Sequence, residues 1–162
     1  MLSLVQSFLL SDTAAAASNG ISSLPFHPIL VNFTAALLPT SFLFDLLAAM
    51  SKRPALRAAA WYTLLLAAIV TPLTAAAGWL WLRSMGDMGH WQMPIHKWLG
   101  TGAAVLVILY ACWRGWLYRH DRAPGVLYTL AALVLFGALL FQGDLGGSMS
   151  FDRGIVIHSD SK

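Results

Sequence analysis

The 162-residue sequence contains no glutamate, a single cysteine and little charge of either sign. Charged residues make up 10% of the chain, where a soluble domain has about a quarter. Water is therefore not its main solvent. The acids are seven Asp against ten Lys plus Arg, and no basic run is long enough to follow a phosphate backbone, which argues against a nucleic-acid partner. The lone Cys112 excludes an internal disulfide and a Cys-rich metal centre. Placed inside an apolar run, it reads as a small packing residue. No nucleophile with an adjacent base stands out, and tight zinc spacings such as H-x-x-x-H are absent. The chain is not expected to be an enzyme.

Apolar residues dominate instead, at 58% of the chain with a mean hydropathy of +0.68. About 20 apolar residues span the hydrocarbon core of a bilayer. Four segments meet that length, from about Pro28 to Met50, Ala58 to Leu82, Trp98 to Tyr118 and Pro124 to Gln142. The first two are joined by the hairpin 51–57 (Ser-Lys-Arg-Pro-Ala-Leu-Arg) and the last two by a turn holding Arg119, His120, Asp121 and Arg122. Connections this short make consecutive helices antiparallel neighbours. The fold class expected is all-α, an antiparallel bundle of four transmembrane helices.

Lys52, Arg53, Arg57, Arg114, Arg119 and Arg122, six of the ten cations, lie on one side of this arrangement. By the positive-inside rule that side is cytoplasmic. Both termini and the second loop then lie on the outer, periplasmic side of a bacterial inner membrane. The tryptophans mark the same two levels, Trp79, Trp81, Trp91 and Trp98 outside and Trp61, Trp113 and Trp116 inside, as an interfacial aromatic belt would. Residues 1–26 form an N-terminal interfacial segment, since Leu2, Val5 and Leu9 recur at helical spacing over too short a run to span, without the basic start of a secretory signal. Residues 27–147 make the membrane domain, and 148–162 a periplasmic tail.

Four of the five histidines fall on the outer level: His27, His90, His96 and His158. His120 alone is inside. Met85, Met88, Met93 and Met149 join the outer group, with Asp87, Asp144 and Asp152. Imidazoles bind zinc, copper or haem iron, and thioethers favour Cu(I) or act as a haem ligand. His27 and His96 open the first and third helices, which run in the same direction, so their rings belong at similar depth. They are the first candidate ligands for a cofactor or a metal, with His90 and His158 as substitutes. The structural alternative for each is ordinary interface packing or helix capping. Small residues at 71–78, at 100–104 and at Gly137, Ala138 and Gly143 either allow close helix packing or leave clearance for a flat haem.

Asp45 is an intramembrane carboxylate nearer the cytoplasmic end. An acid there is a functional candidate by default, but its reach to Arg57 or Arg114 favours a structural pair. Asn32, one turn into the first helix, is expected to hydrogen-bond across helices.

The segment 24–37 (Leu-Pro-Phe-His-Pro-Ile-Leu-Val-Asn-Phe-Thr-Ala-Ala-Leu), with Asp45 further along, resembles the opening signature of a bacterial membrane family known as domain of unknown function 2231, approximately H-P-x-x-V-H-F-P before an apolar helix carrying an acid. His96, Gly143-Asp-Leu-Gly-Gly147 and the apolar 154–157 continue the likeness over most of 26–157. Here Asn32 stands where that pattern has its second histidine and Thr34 where it has proline. An amide is a poor ligand for haem or copper, so a role shared by paired histidines in relatives is altered in this chain. The resemblance implies a four-helix membrane domain often found near or fused to electron-transfer proteins.

Three functions fit these observations. The first is a small integral membrane subunit or accessory protein of a larger complex, of electron-transfer or other bioenergetic type, with lipids and other membrane subunits as partners. The second is a b-type haem electron-transfer protein with outer-face histidine ligands. The third is an outer-face copper or zinc site.

Overall fold

The computed structural model describes residues 26–85 and 91–159, with side chains over 26–83 and 91–149. Among the described residues four helices follow one another: α1 Phe26–Ser51, α2 Pro54–Met85, α3 Gln92–Arg119 and α4 Val126–Ser159. Each is long and apolar enough to cross a membrane. All exceed the apolar runs, because hydropathy marks hydrocarbon depth whereas a helix continues through the interface. So α3 begins at Gln92, and the segment 148–162, read as a tail, is helical as far as Ser159.

Prolines sit where helices tolerate them. Pro54 opens α2, and Pro28 and Pro94 fall in first turns, where backbone N–H groups have no intrahelical acceptor. Pro39 and Pro72 lie inside α1 and α2. Beside them, Ser41 donates across to the Ala60 carbonyl of α2 at 2.9 Å, and Thr71 donates to the Ala67 carbonyl one turn back at 2.7 Å.

The two described connections are tight. Lys52 (φ 55°) and Asp121 (φ 53°) take the left-handed conformation that ends α1 and α3. Asp121 is held there by Arg57, whose Nη1 donates to its carboxylate at 2.9 Å while Nη2 donates to the Arg122 carbonyl at 3.2 Å. The α1–α2 end is thereby clamped to the α3–α4 turn.

Consecutive helices pack side by side, and α4 returns to touch α1. This leaves α1 and α3 facing each other across the diagonal. The core around Leu64, Tyr110, Ala111, Tyr128 and Ala132 is packed by Leu38 and Phe42. Tyr110 and Tyr128 stack at 4.4 Å between ring centroids. At Gly115 a Cβ would lie 2.8 Å from Trp61 Cη2, so glycine is what lets the indole of α2 reach the α3 backbone. Cys112, read as a small packing residue within the third span, is exposed on the surface of α3. In lipid a small apolar residue gains nothing by facing inward unless a neighbour fits it.

Candidate functional site

Polar side chains collect at two levels of the bundle, one at each end. At the end with the basic hairpins, the wholly buried Arg114 of α3 reaches Asp45 of α1. Its Nε donates to both carboxylate oxygens at 3.1 Å and its Nη2 to Oδ1 at 2.7 Å. Tyr128 of α4 donates its hydroxyl to Asp45 Oδ2 at 3.2 Å, and Arg114 Nη2 also reaches the Arg57 carbonyl at 3.3 Å. Of the two partners open to Asp45, Arg114 is the one it has, since Arg57 is engaged by Asp121. Arg114 Nη1 and Arg57 Nε are buried with no acceptor among the described residues. A guanidinium has more donors than one carboxylate and one carbonyl can meet. The cluster ties all four helices together, with the charges of Asp45 and Arg114 balanced.

At the opposite end, α1 and α3 bring two imidazoles together. The rings of His27 and His96 are 6.2 Å apart, nearly perpendicular at 86°. His27 Nδ1 lies 2.9 Å from the Thr74 carbonyl of α2. A carbonyl only accepts, so Nδ1 carries a proton, and in the neutral ring the lone pair is on Nε2. The ring lies against Gly78, where a Cβ would stand 2.9 Å from Cε1 and Nδ1, with Trp81 beside it at 6.0 Å. One turn of helix separates Gly78 from Thr74, so the same face of α2 both seats the ring and orients it. Deeper in, the Thr34 and Thr74 hydroxyls pair at 3.1 Å.

His96 is seated from the other side. A Cβ at Gly146 of α4 would lie 3.1 Å from its Cε1. Gln142, one turn earlier, donates Nε2 to the His96 carbonyl at 2.9 Å and fills the space over Gly100. His96 Nδ1 is buried and has no hydrogen-bond partner among the described residues. The small residues offered by the sequence as clearance for a flat cofactor are thus used in part as seats: Gly78 for His27, Gly100 for Gln142 and Gly146 for His96. Gly102, Gly137 and Gly143 face open space. Lys97 lies over the Trp79 ring at 4.6 Å, and Trp79 Nε1 donates to Thr101 at 3.0 Å.

The remaining candidates are dispersed. His90 and the side chain of His158 lie outside the described residues. His120 is exposed and lies against Trp116, its Nδ1 2.8 Å from the Trp116 carbonyl. Asn32, expected to bond across helices, is exposed and has no hydrogen bond among the described residues. A helical step of five residues from His27 turns it away from the α2 contact. Gln142, Gly146, Trp81 and Tyr128 did not stand out in the sequence as parts of either cluster. The one available signal was spacing: His96 to Gly100 and Gln142 to Gly146 are both four residues, the interval of neighbours on one helix face. No group of three or more His, Cys, Asp or Glu is placed to hold a metal ion among the described residues.

No curated protein and no solved structure matches the chain. Residues 23–159 match a family model described as "Predicted membrane protein (DUF2231)". With four helices of spanning length and a match over nearly the whole sequence, the chain is a multi-pass membrane protein and belongs to the family of domain of unknown function 2231.

Proposed function

We propose that the protein is a small accessory subunit of a larger complex in a bacterial inner membrane, of electron-transfer or related bioenergetic type, with its histidine end turned to the periplasm. The observation that carries this reading is Asn32. Its carboxamide is exposed on α1, inside the span, with no partner among the described residues. An amide left unbonded in hydrocarbon is costly, and across a helix interface it becomes a bonding group. Exposed Ile29 and Phe33 flank it, so the surface offered to a neighbouring helix is apolar with one polar point of registry. The Asp45 cluster, with Asp45 and Arg114 paired within the bundle, supports a structural rather than a catalytic role. The outward orientation rests on the cations of the two basic hairpins.

Native electrophoresis of membranes solubilised in mild detergent tests the reading. The wild-type chain is expected in an assembly well above its own 17.6 kDa. Asn32→Leu should release it from that assembly while leaving its own thermal midpoint unchanged. Migration of the wild type as a single chain from its native membrane would contradict the proposal.

A further inference from the structure

The antiparallel alignment of α3 and α4 at the histidine end can be followed step by step. Gly100 of α3 faces Gln142 of α4, since Gln142 occupies the space over that glycine. One turn outward, His96 faces Gly146. Three residues further along the same two faces, helical register brings Met93 of α3 to the level of Met149 of α4. Met149 is buried at 7% exposure and Met93 is half-buried. The register thus puts two thioethers one turn beyond His96, on the α3 and α4 faces that meet there, and His27 reaches His96 from α1.

We propose that His27, His96, Met93 and Met149 form a binding site for a cuprous ion. Two of its donors are available by chemistry already described. With the Thr74 carbonyl holding the proton on Nδ1, the neutral His27 ring offers Nε2 as a donor, the outer-shell arrangement that orients metal-bound imidazoles. His96 has a buried nitrogen with no hydrogen-bond partner among the described residues. The rings stand 6.2 Å apart, a gap that one ion with metal–nitrogen bonds of about 2 Å can bridge. The choice of metal follows from the other donors. Neither a carboxylate nor a thiolate joins the pair among the described residues, so the site lacks the anionic ligands that favour harder divalent ions. Neutral imidazole and thioether donors in a half-buried setting suit a soft, singly charged ion, whose charge is also the least costly to hold there. The site stands whether or not the chain works within a larger assembly.

The test is anaerobic loading of the purified full-length protein with Cu(I) against bicinchoninate as competing chelator, followed by X-ray absorption. One Cu(I) per chain with both nitrogen and sulfur scatterers is expected. His96→Ala and His27→Gln should each weaken binding by at least about 100-fold, beyond the 10–100-fold of outer-shell changes. The double variant Met93→Leu, Met149→Leu conserves volume and keeps the imidazoles, so it should fold with an unchanged thermal midpoint. It should lose the sulfur scattering and bind about 10-fold or more weakly. Failure of the wild type to compete for Cu(I), tighter binding of Zn(II), a copper sphere without sulfur, or binding unchanged in both histidine variants would each overturn the site. So would a Soret band in protein from its native host, which would assign the two histidines to haem.

Discussion

Asp45 and Arg114, 69 residues apart in sequence, form a bidentate ion pair across the diagonal of the bundle with both side chains buried. Removing either partner leaves a charge uncompensated at low dielectric, at a cost of about 3–5 kcal/mol. Asp45→Asn retains a hydrogen-bonding group beside Arg114, whereas Arg114→Glu sets two acids against each other. The thermal midpoint in detergent is expected to fall further for Arg114→Glu. The double variant Asp45→Asn, Arg114→Gln, with both charges gone, should lie closer to wild type than the two single losses added together. The opposite order of the single variants would show that the pair is not what holds α1 to α3.

Tyr128 supplies Asp45 with a third helix's hydrogen bond. Bonds to a charged acceptor contribute about 1.5–3 kcal/mol. Tyr128→Phe should lose an amount in that range, because the stacked ring remains and only the donor goes. The exposed Tyr62 is the control. Its change to Phe should shift stability by no more than about 0.5 kcal/mol. Chemical unfolding in mixed micelles gives both values, and equal effects would contradict the assignment.

The glycines divide into two classes with opposite expected signs. Gly102 meets nothing within 4 Å of a built Cβ, so Gly102→Ala should stabilise by up to about 1 kcal/mol through helix propensity. Gly115→Ala would press on the Trp61 indole at 2.8 Å and Gly78→Ala on the His27 ring at 2.9 Å. Both should lower the thermal midpoint, and Gly78→Ala should in addition release His27 from the Thr74 carbonyl. A histidine ring NMR signal that keeps its hydrogen-bonded Nδ1–H in Gly78→Ala would show that the seat is wrongly placed.

Cysteine labelling reads the orientation. In a Cys112→Ala background, a membrane-impermeant reagent applied to intact spheroplasts is expected to label Met88→Cys and to spare Arg53→Cys. The cations beside the two short hairpins carry this expectation. Labelling at 53 with none at 88 would invert the topology.

Helix number, order and alternation follow from the sequence alone, because each depends on properties local to a run of residues. Four apolar stretches of spanning length must satisfy their backbone groups internally, which only helices or closed barrels do, and the connections at 52–53 and 120–125 are too short for anything but a reversal. Which side of each helix turns inward is a different matter. In water an apolar stripe would answer it, but these helices are apolar all round, and lipid competes with the core on equal terms. Asn32 and Cys112 accordingly turn to the surface of the bundle, which their positions in the sequence do not disclose. The choice between Arg57 and Arg114 as partner for Asp45 could not be read from spacing, because it depends on Asp121 drawing Arg57 to the other hairpin. The close meeting of His27 and His96 likewise needs Gly78 and Gly146, from two further helices, to lie beneath the rings. Rotation of each helix about its axis is set by these contacts between distant residues, and only the tertiary structure decides it.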